Sequence, residues 1–195
     1  MDFFKTWLTG YYNPGKLAGE LAEKKAPHWG VYATGMRGLL NSLLLYLPLV
    51  ILGKEPTSPS WLTFLPTTDY YLASVFFVPF FFYFQWFLLS AFIHLVIRLS
   101  GLQSNIDHIL NITGFNSLVV GAFILVWDWI WILTGWHNPP LLGISHLIID
   151  TWYIIITSAC FIRILNLKPI TAVLLNLLWI VVAVPIAMLF MRAPV

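Results

Sequence analysis

The chain has 195 residues, of which 59% are hydrophobic and only 9% charged, and its mean hydropathy is +0.84. Soluble domains carry roughly a quarter charged residues, so there are too few charges here to clothe a water-exposed surface, and the chain reads as a single-domain integral membrane protein. A formal net charge of +2, with basic residues scattered rather than gathered in a stripe, argues against nucleic acid as a partner, and the lone cysteine, Cys160, cannot form an internal disulfide.

Residues 1–35 read as a cytoplasmic segment of mixed polar and aromatic character. It lacks the basic leader, apolar core and small-residue cleavage site of a signal peptide, so the first apolar run is expected to act as the insertion signal. Asn13-Pro14-Gly15 predicts a turn. Residues 16–25 (KLAGELAEKK) place Leu17, Ala18, Leu21 and Ala22 on one side and Glu20, Glu23 and Lys24 on the other, the pattern of a short amphipathic helix lying along the membrane surface.

Residues 36–195 are expected to form an all-α membrane domain of five spans, at residues 36–52, 70–97, 108–133, 144–164 and 170–190, each near the roughly 20 apolar residues that cross a bilayer. Pro79 is expected to kink or tilt the second. The distribution of basic residues gives the orientation. Lys5, Lys16, Lys24, Lys25, Arg37, Arg98, Arg163 and Lys168 fall on the N-terminal side and only Lys54 and Arg192 on the other, which predicts a cytoplasmic N-terminus and an outer C-terminus. Trp61, Trp127, Trp129, Trp131 and Trp136 then form an aromatic belt at the outer interface. No internal repeat marks an inverted-repeat transporter.

Ionisable side chains inside spans are costly and need a partner or a wet cavity. The third span carries Asp128, and the fourth carries His146 and Asp150. Asp107, Gly114, Gly121 and Asp128 recur by sevens, with Asn111 and Ser117 on the same face, a stripe of small and polar residues suited to a close helix contact in lipid. His146, Asp150, Tyr153 and Thr157 share a face of the fourth span, so His146 and Asp150 can touch, and the short connection should bring Asp128 and Asp150 to a similar depth near the outer boundary. Three readings of this cluster stand open: a satisfied polar patch, a proton or ion path, or a metal site that adds His137. A second cluster, His94, Arg98, Asp107 and His108, flanks the turn between the second and third spans. There Arg98 either pairs with Asp107, holds a lipid phosphate, or simply anchors a helix end. Asn111-Ile112-Thr113 matches a glycosylation sequon but lies within a span. No G-x-S-x-G, H-E-x-x-H, P-loop or G-x-G-x-x-G motif is present, so no catalytic residue is assigned.

Asn13-Pro14 before a short amphipathic helix, five spans, and the second-span ending His94-Leu95-Val96-Ile97-Arg98-Leu99-Ser100-Gly101-Leu102-Gln103-Ser104 together resemble the Yip domain family, the five-span Ypt/Rab-interacting membrane proteins and their prokaryotic relatives. The long acidic, proline-rich arm of the eukaryotic members, with its Asp-Leu-Tyr-Gly-Pro motif, has no counterpart in this sequence, and a single Gly101 stands where the family has a Gly-Gly-rich turn. That departs from Rab-type GTPase binding and points to a bacterial or archaeal inner-membrane relative. The resemblance implies a non-enzymatic membrane-organising scaffold or accessory subunit. The expected partners are the bilayer, a second copy of the chain or other membrane subunits, with bound lipid and no other cofactor. The alternative is a small transporter or an ion- or proton-conducting protein using Asp128, His146 and Asp150.

Overall fold

Helix formation follows the apolar runs, and the ends are set by capping chemistry. The computed structural model describes residues 2–56 and 64–192, so Trp61 lies outside the described residues. Within them, α1 (Phe3–Thr9) starts where Asp2 accepts the Phe4 amide at 3.0 Å, and α2 (Pro14–Ala22) starts where Asn13 accepts the Lys16 amide at 3.0 Å. The first span, α3 (His28–Ile51), passes through a π-helical turn at Ser42–Tyr46. A single-turn 3-10 segment (Thr67–Asp69) leads into α4 (Tyr70–Leu99), followed by α5 (Ile106–Thr134), α6 (Pro139–Leu165) and α7 (Pro169–Phe190). The described residues contain no strand.

Five of these helices are long and apolar enough to cross a membrane, and the chain is a multi-pass, all-α bundle. Two boundaries differ from the sequence expectation. The fourth span starts at Pro139 rather than at residue 144, because Asn138 caps the Leu141 amide at 3.1 Å and prolines suit the first helical positions, where a missing N–H costs nothing. The first span starts at His28, eight residues early, and its lower mean hydropathy of 1.3 against 2.6 for α7 concealed this. Pro79 sits inside an uninterrupted α4, with its ring carbons against Gly38 of α3.

The hub is α5: its most apolar stretch is 78% buried, against 17% for that of α7. Two ends of the bundle follow from the alternating helix directions. One carries the start of α3 and the α4–α5 and α6–α7 turns; the other carries the α5–α6 turn.

The N-terminal helices pack against the spans. They form a hairpin that packs into the bundle, α1 on α5 and α2 on α6. Leu17, Ala18 and Leu21 are fully buried, and Glu20, expected on the polar side, is only 6% exposed. Phe3 meets the Phe115 and Trp29 rings at 5.2 and 5.3 Å. The hairpin turn reaches the middle of the spans: Trp152, the central residue of α6, donates to the Gly10 carbonyl at 3.1 Å, and Gly10 rests against Val119 near the centre of α5. Farther along, Arg163 donates to the Gly15 carbonyl at 2.9 Å and lies over Gly19. The apolar face of α2 is buried either way; a protein wall replaces lipid.

Candidate functional site

Helices α3 and α5 approach through glycine. A Cβ on Gly114 would lie 2.7 Å from the Gly30 carbonyl oxygen, and one on Gly121 would lie 2.6 Å from Arg37 Nε. The seven-residue stripe of small residues is therefore a close contact, and its partner is the first span, not the fourth. Asn111, fully buried, belongs to the same seam. Its Oδ1 accepts the Gly30 amide at 2.8 Å and its Nδ2 donates to the Ala26 and Lys24 carbonyls at 2.7 and 3.2 Å, so the sequon residue is a structural one.

The space over Gly121 admits Arg37. Counting basic residues placed Arg37 at the cytoplasmic boundary, but it lies well inside α3, level with Gly121 at the centre of α5. Its guanidinium stands over the Phe82 ring at 4.4 Å, its Nε is buried without a hydrogen-bond partner, and it makes no ion pair among the described residues. Asp150 and Tyr153 are the groups within its electrostatic reach.

Toward the α5–α6 turn, His146 Nε2 and Asp128 Oδ1 lie 2.8 Å apart, joining two neighbouring spans. Asp128 is 4% exposed and His146 half-buried. His146 does not hydrogen-bond Asp150, contrary to the expectation from their spacing. The ring turns across to α5, and Asp150, one helical turn deeper than His146, is within electrostatic reach of both Arg37 and His146. The two aspartates therefore sit at different depths. Placed in order from the α5–α6 turn toward the bundle centre, the ionisable groups are Asp128, His146, Asp150 and Arg37.

Uncharged polar side chains fill the interior around this file. Asn116 donates to Thr157 at 3.1 Å, Asn176 donates to Ser158 at 3.0 Å, and the Ser90 and Thr113 hydroxyls lie 2.7 Å apart. Trp127 donates to Ser145 at 2.7 Å, and Trp129 donates to the Leu44 carbonyl at 2.7 Å. That carbonyl would otherwise accept from residue 48 in a helix, but Pro48 has no N–H, and Trp129 takes its place. Trp131 and Trp136 meet edge to face at 5.1 Å, so Trp127, Trp129, Trp131 and Trp136, the four described tryptophans of the expected belt, gather at the α5–α6 end.

The second cluster does not assemble as expected. Arg98 is exposed and does not pair with Asp107; His94 instead lies 2.9 Å from Ser104 Oγ, and Asn105 caps α5 through the Asp107 amide at 2.8 Å. Removing the Arg98 charge by Arg98→Gln should leave the thermal unfolding midpoint in detergent nearly unchanged, a shift worth about 0.5 kcal/mol or less. Exposed His137 stands apart from His146, and no group of three or more His, Cys, Asp or Glu side chains comes together among the described residues.

Sequence reasoning singled out Asp128, His146 and Asp150 but missed Arg37, Asn116 and Asn176. The available signal for Arg37 was its surroundings: Thr34, Gly35 and Gly38 flank it, small residues that belong to a buried helix face rather than to a membrane boundary. No family model, curated protein or solved structure matches the chain.

Proposed function

We propose that this chain is a non-enzymatic, proton-handling membrane protein, a small transporter or proton-conducting unit, working through Asp128, His146 and Asp150. One observation carries the reading: a His–Asp pair 2.8 Å apart between two spans, followed one turn deeper by a second carboxylate within electrostatic reach of a buried arginine. An imidazole and a carboxylate at that distance share a proton, and His146, the more exposed partner, exchanges it with solvent. Asp150 then receives the proton toward the centre, and the neighbouring Arg37 charge sets how readily it holds it. With Arg37 drawn into the bundle, the remaining basic residues still favour the α3-start end, which supports a cytoplasmic N-terminus with His146 toward the outside.

The test is proton flux into liposomes carrying an internal pH-sensitive dye under an imposed potential. Asp128→Asn and Asp150→Asn should each slow the flux about tenfold or more, equivalent to about 1.4 kcal/mol or more on the barrier. Wild-type vesicles no leakier than empty ones, or unaltered flux in both folded variants, would sink the reading.

A Yip-type scaffold or accessory subunit is the second reading, favoured by the cross-helix bonds Asn116–Thr157 and Asn176–Ser158, which lock a rigid bundle, and by the exposed apolar side of α7 at Ile170, Leu174, Val181 and Met188. In it the exposed Arg98 anchors a lipid phosphate. It predicts that another membrane subunit co-purifies in mild detergent, whereas a stable partner-free monomer counts against it.

A further inference from the structure

The outward side of α1 and of the turn that follows it is apolar. Phe4, Leu8, Tyr11 and Tyr12 recur at helical spacing and are 57%, 60%, 37% and 68% exposed, whereas Thr6, Thr9 and Gly10 on the opposite side are buried against the bundle. In water such a stripe would be an unpartnered apolar patch. The depth of the hairpin says what covers it. A Cβ on Gly10 would lie 2.6 Å from Val119 Cγ2, so the turn is level with Val119 of α5. Helix α5 has 29 residues and is about 43 Å long, about 13 Å more than the roughly 30 Å hydrocarbon layer. Val119 is about 20 Å from the nearer end of α5, so however the overhang is shared between the two ends it stays about 7 Å or more inside that layer. The Trp152 bond to the Gly10 carbonyl sets the same level on α6.

Hydrocarbon offers no partner to a peptide group, so a turn that faces it must satisfy its own backbone. The amides of Gly10, Tyr11, Tyr12 and Asn13 donate to the carbonyls of Thr6, Leu8, Thr9 and Thr9 at 3.3, 3.1, 3.2 and 2.9 Å. Pro14 has no N–H to satisfy. Asn13 takes the Lys16 amide on its side chain and the Leu17 amide on its carbonyl, both at 3.0 Å. The exposed Lys5 and Lys16 carry their charges on long stems that reach toward the headgroups, and Lys16 follows Gly15, which Arg163 holds near the end of α6.

We propose that residues 3–22 form a re-entrant hairpin whose turn lies inside the bilayer, with the face made by Phe4, Leu8, Tyr11 and Tyr12 against the acyl chains of the leaflet on the α3-start side. The hairpin widens the bundle in that leaflet alone. It uses none of the relay residues and stands without the proton reading.

The experiment places one nitrobenzoxadiazole fluorophore on the full-length protein in phosphatidylcholine liposomes, through Leu8→Cys, Tyr12→Cys or, as the water-facing control, Glu23→Cys. Cys160 is fully buried and should give no background, which the unsubstituted protein checks. The Leu8→Cys and Tyr12→Cys labels should emit at shorter wavelength than the Glu23→Cys label and lose intensity when the acyl chains carry bromine. For Tyr12→Cys, bromine near the chain end should quench more than bromine near the glycerol. Aqueous iodide should quench the Glu23→Cys label alone. Iodide quenching of the Leu8→Cys and Tyr12→Cys labels would overturn the proposal in favour of a hairpin in water. Quenching by neither agent would overturn it in favour of a protein partner over the stripe, and stronger quenching of Tyr12→Cys by bromine near the glycerol would overturn it in favour of a hairpin at the membrane surface.

Discussion

Replacing Asn111 with leucine is expected to cause a large loss of stability. Helix α3 begins after Pro27, which has no side-chain oxygen to cap it. Gly30, in the first turn, has an amide with no acceptor in its own helix. Asn111 supplies that acceptor from α5, 81 positions away, at 2.8 Å, and its amide group also satisfies the Ala26 and Lys24 carbonyls. Leucine would leave one donor and two acceptors unpaired at a fully buried site. At about 1–3 kcal/mol for each unsatisfied buried group, the loss is about 3 kcal/mol or more. Asn111→Asp separates the contributions, because a carboxylate accepts from Gly30 but cannot donate to the carbonyls. Thermal unfolding in detergent, followed by tryptophan fluorescence, should rank wild type above both variants. A leucine variant that melts with the wild type would show that the trans cap contributes nothing.

The same junction explains why some of the architecture was legible in the sequence and some was not. Four spans were visible because helices facing lipid on one side keep long apolar runs, and the last, with mean hydropathy 2.6, was the plainest. The first was read short because the residues that bury its face, Gly30, Ala33, Thr34 and Gly38, are small or polar. In lipid such residues mark close packing, yet on a hydropathy scale they resemble a loop. Arg37 was misplaced for a related reason. A count of basic residues assumes that cations stay at boundaries, and it has no means of recognising one admitted over a glycine on another helix. Likewise, the period of Leu17, Ala18 and Leu21 gave α2 correctly, but the same apolar face is buried by lipid or by protein, and only the three-dimensional arrangement supplies α6 as the wall. Within the candidate site, the same-face spacing of His146 and Asp150 was real. Their direct contact was not, because Asp128 on the neighbouring helix takes the imidazole first.

Gly30→Ala is the second substitution with a large expected effect. A helical glycine exchanged for alanine ordinarily gains about 0.5–1 kcal/mol from backbone entropy. Here the added Cβ would overlap the Leu110 carbonyl oxygen and lie 2.7 Å from its carbon and 3.1 Å from the Asn111 Cα. All three are backbone atoms, so no rotamer change relieves the clash and α3 must move away from α5. Overpacking of this kind costs about 1–3 kcal/mol and sometimes more, which outweighs the entropic gain. Gly143→Ala is the matched control: nothing lies within 4 Å of its Cβ position, and it should be neutral or slightly stabilising. In the proposed relay the displacement also has a functional consequence, since the seam that holds Gly30 against Asn111 holds Arg37 over Gly121, within electrostatic reach of Asp150. Gly30→Ala should therefore lower both the unfolding midpoint and, in protein that still folds, the proton flux. Normal stability in Gly30→Ala would refute the backbone contact, whereas lowered stability with undiminished flux would separate the α3–α5 seam from the relay.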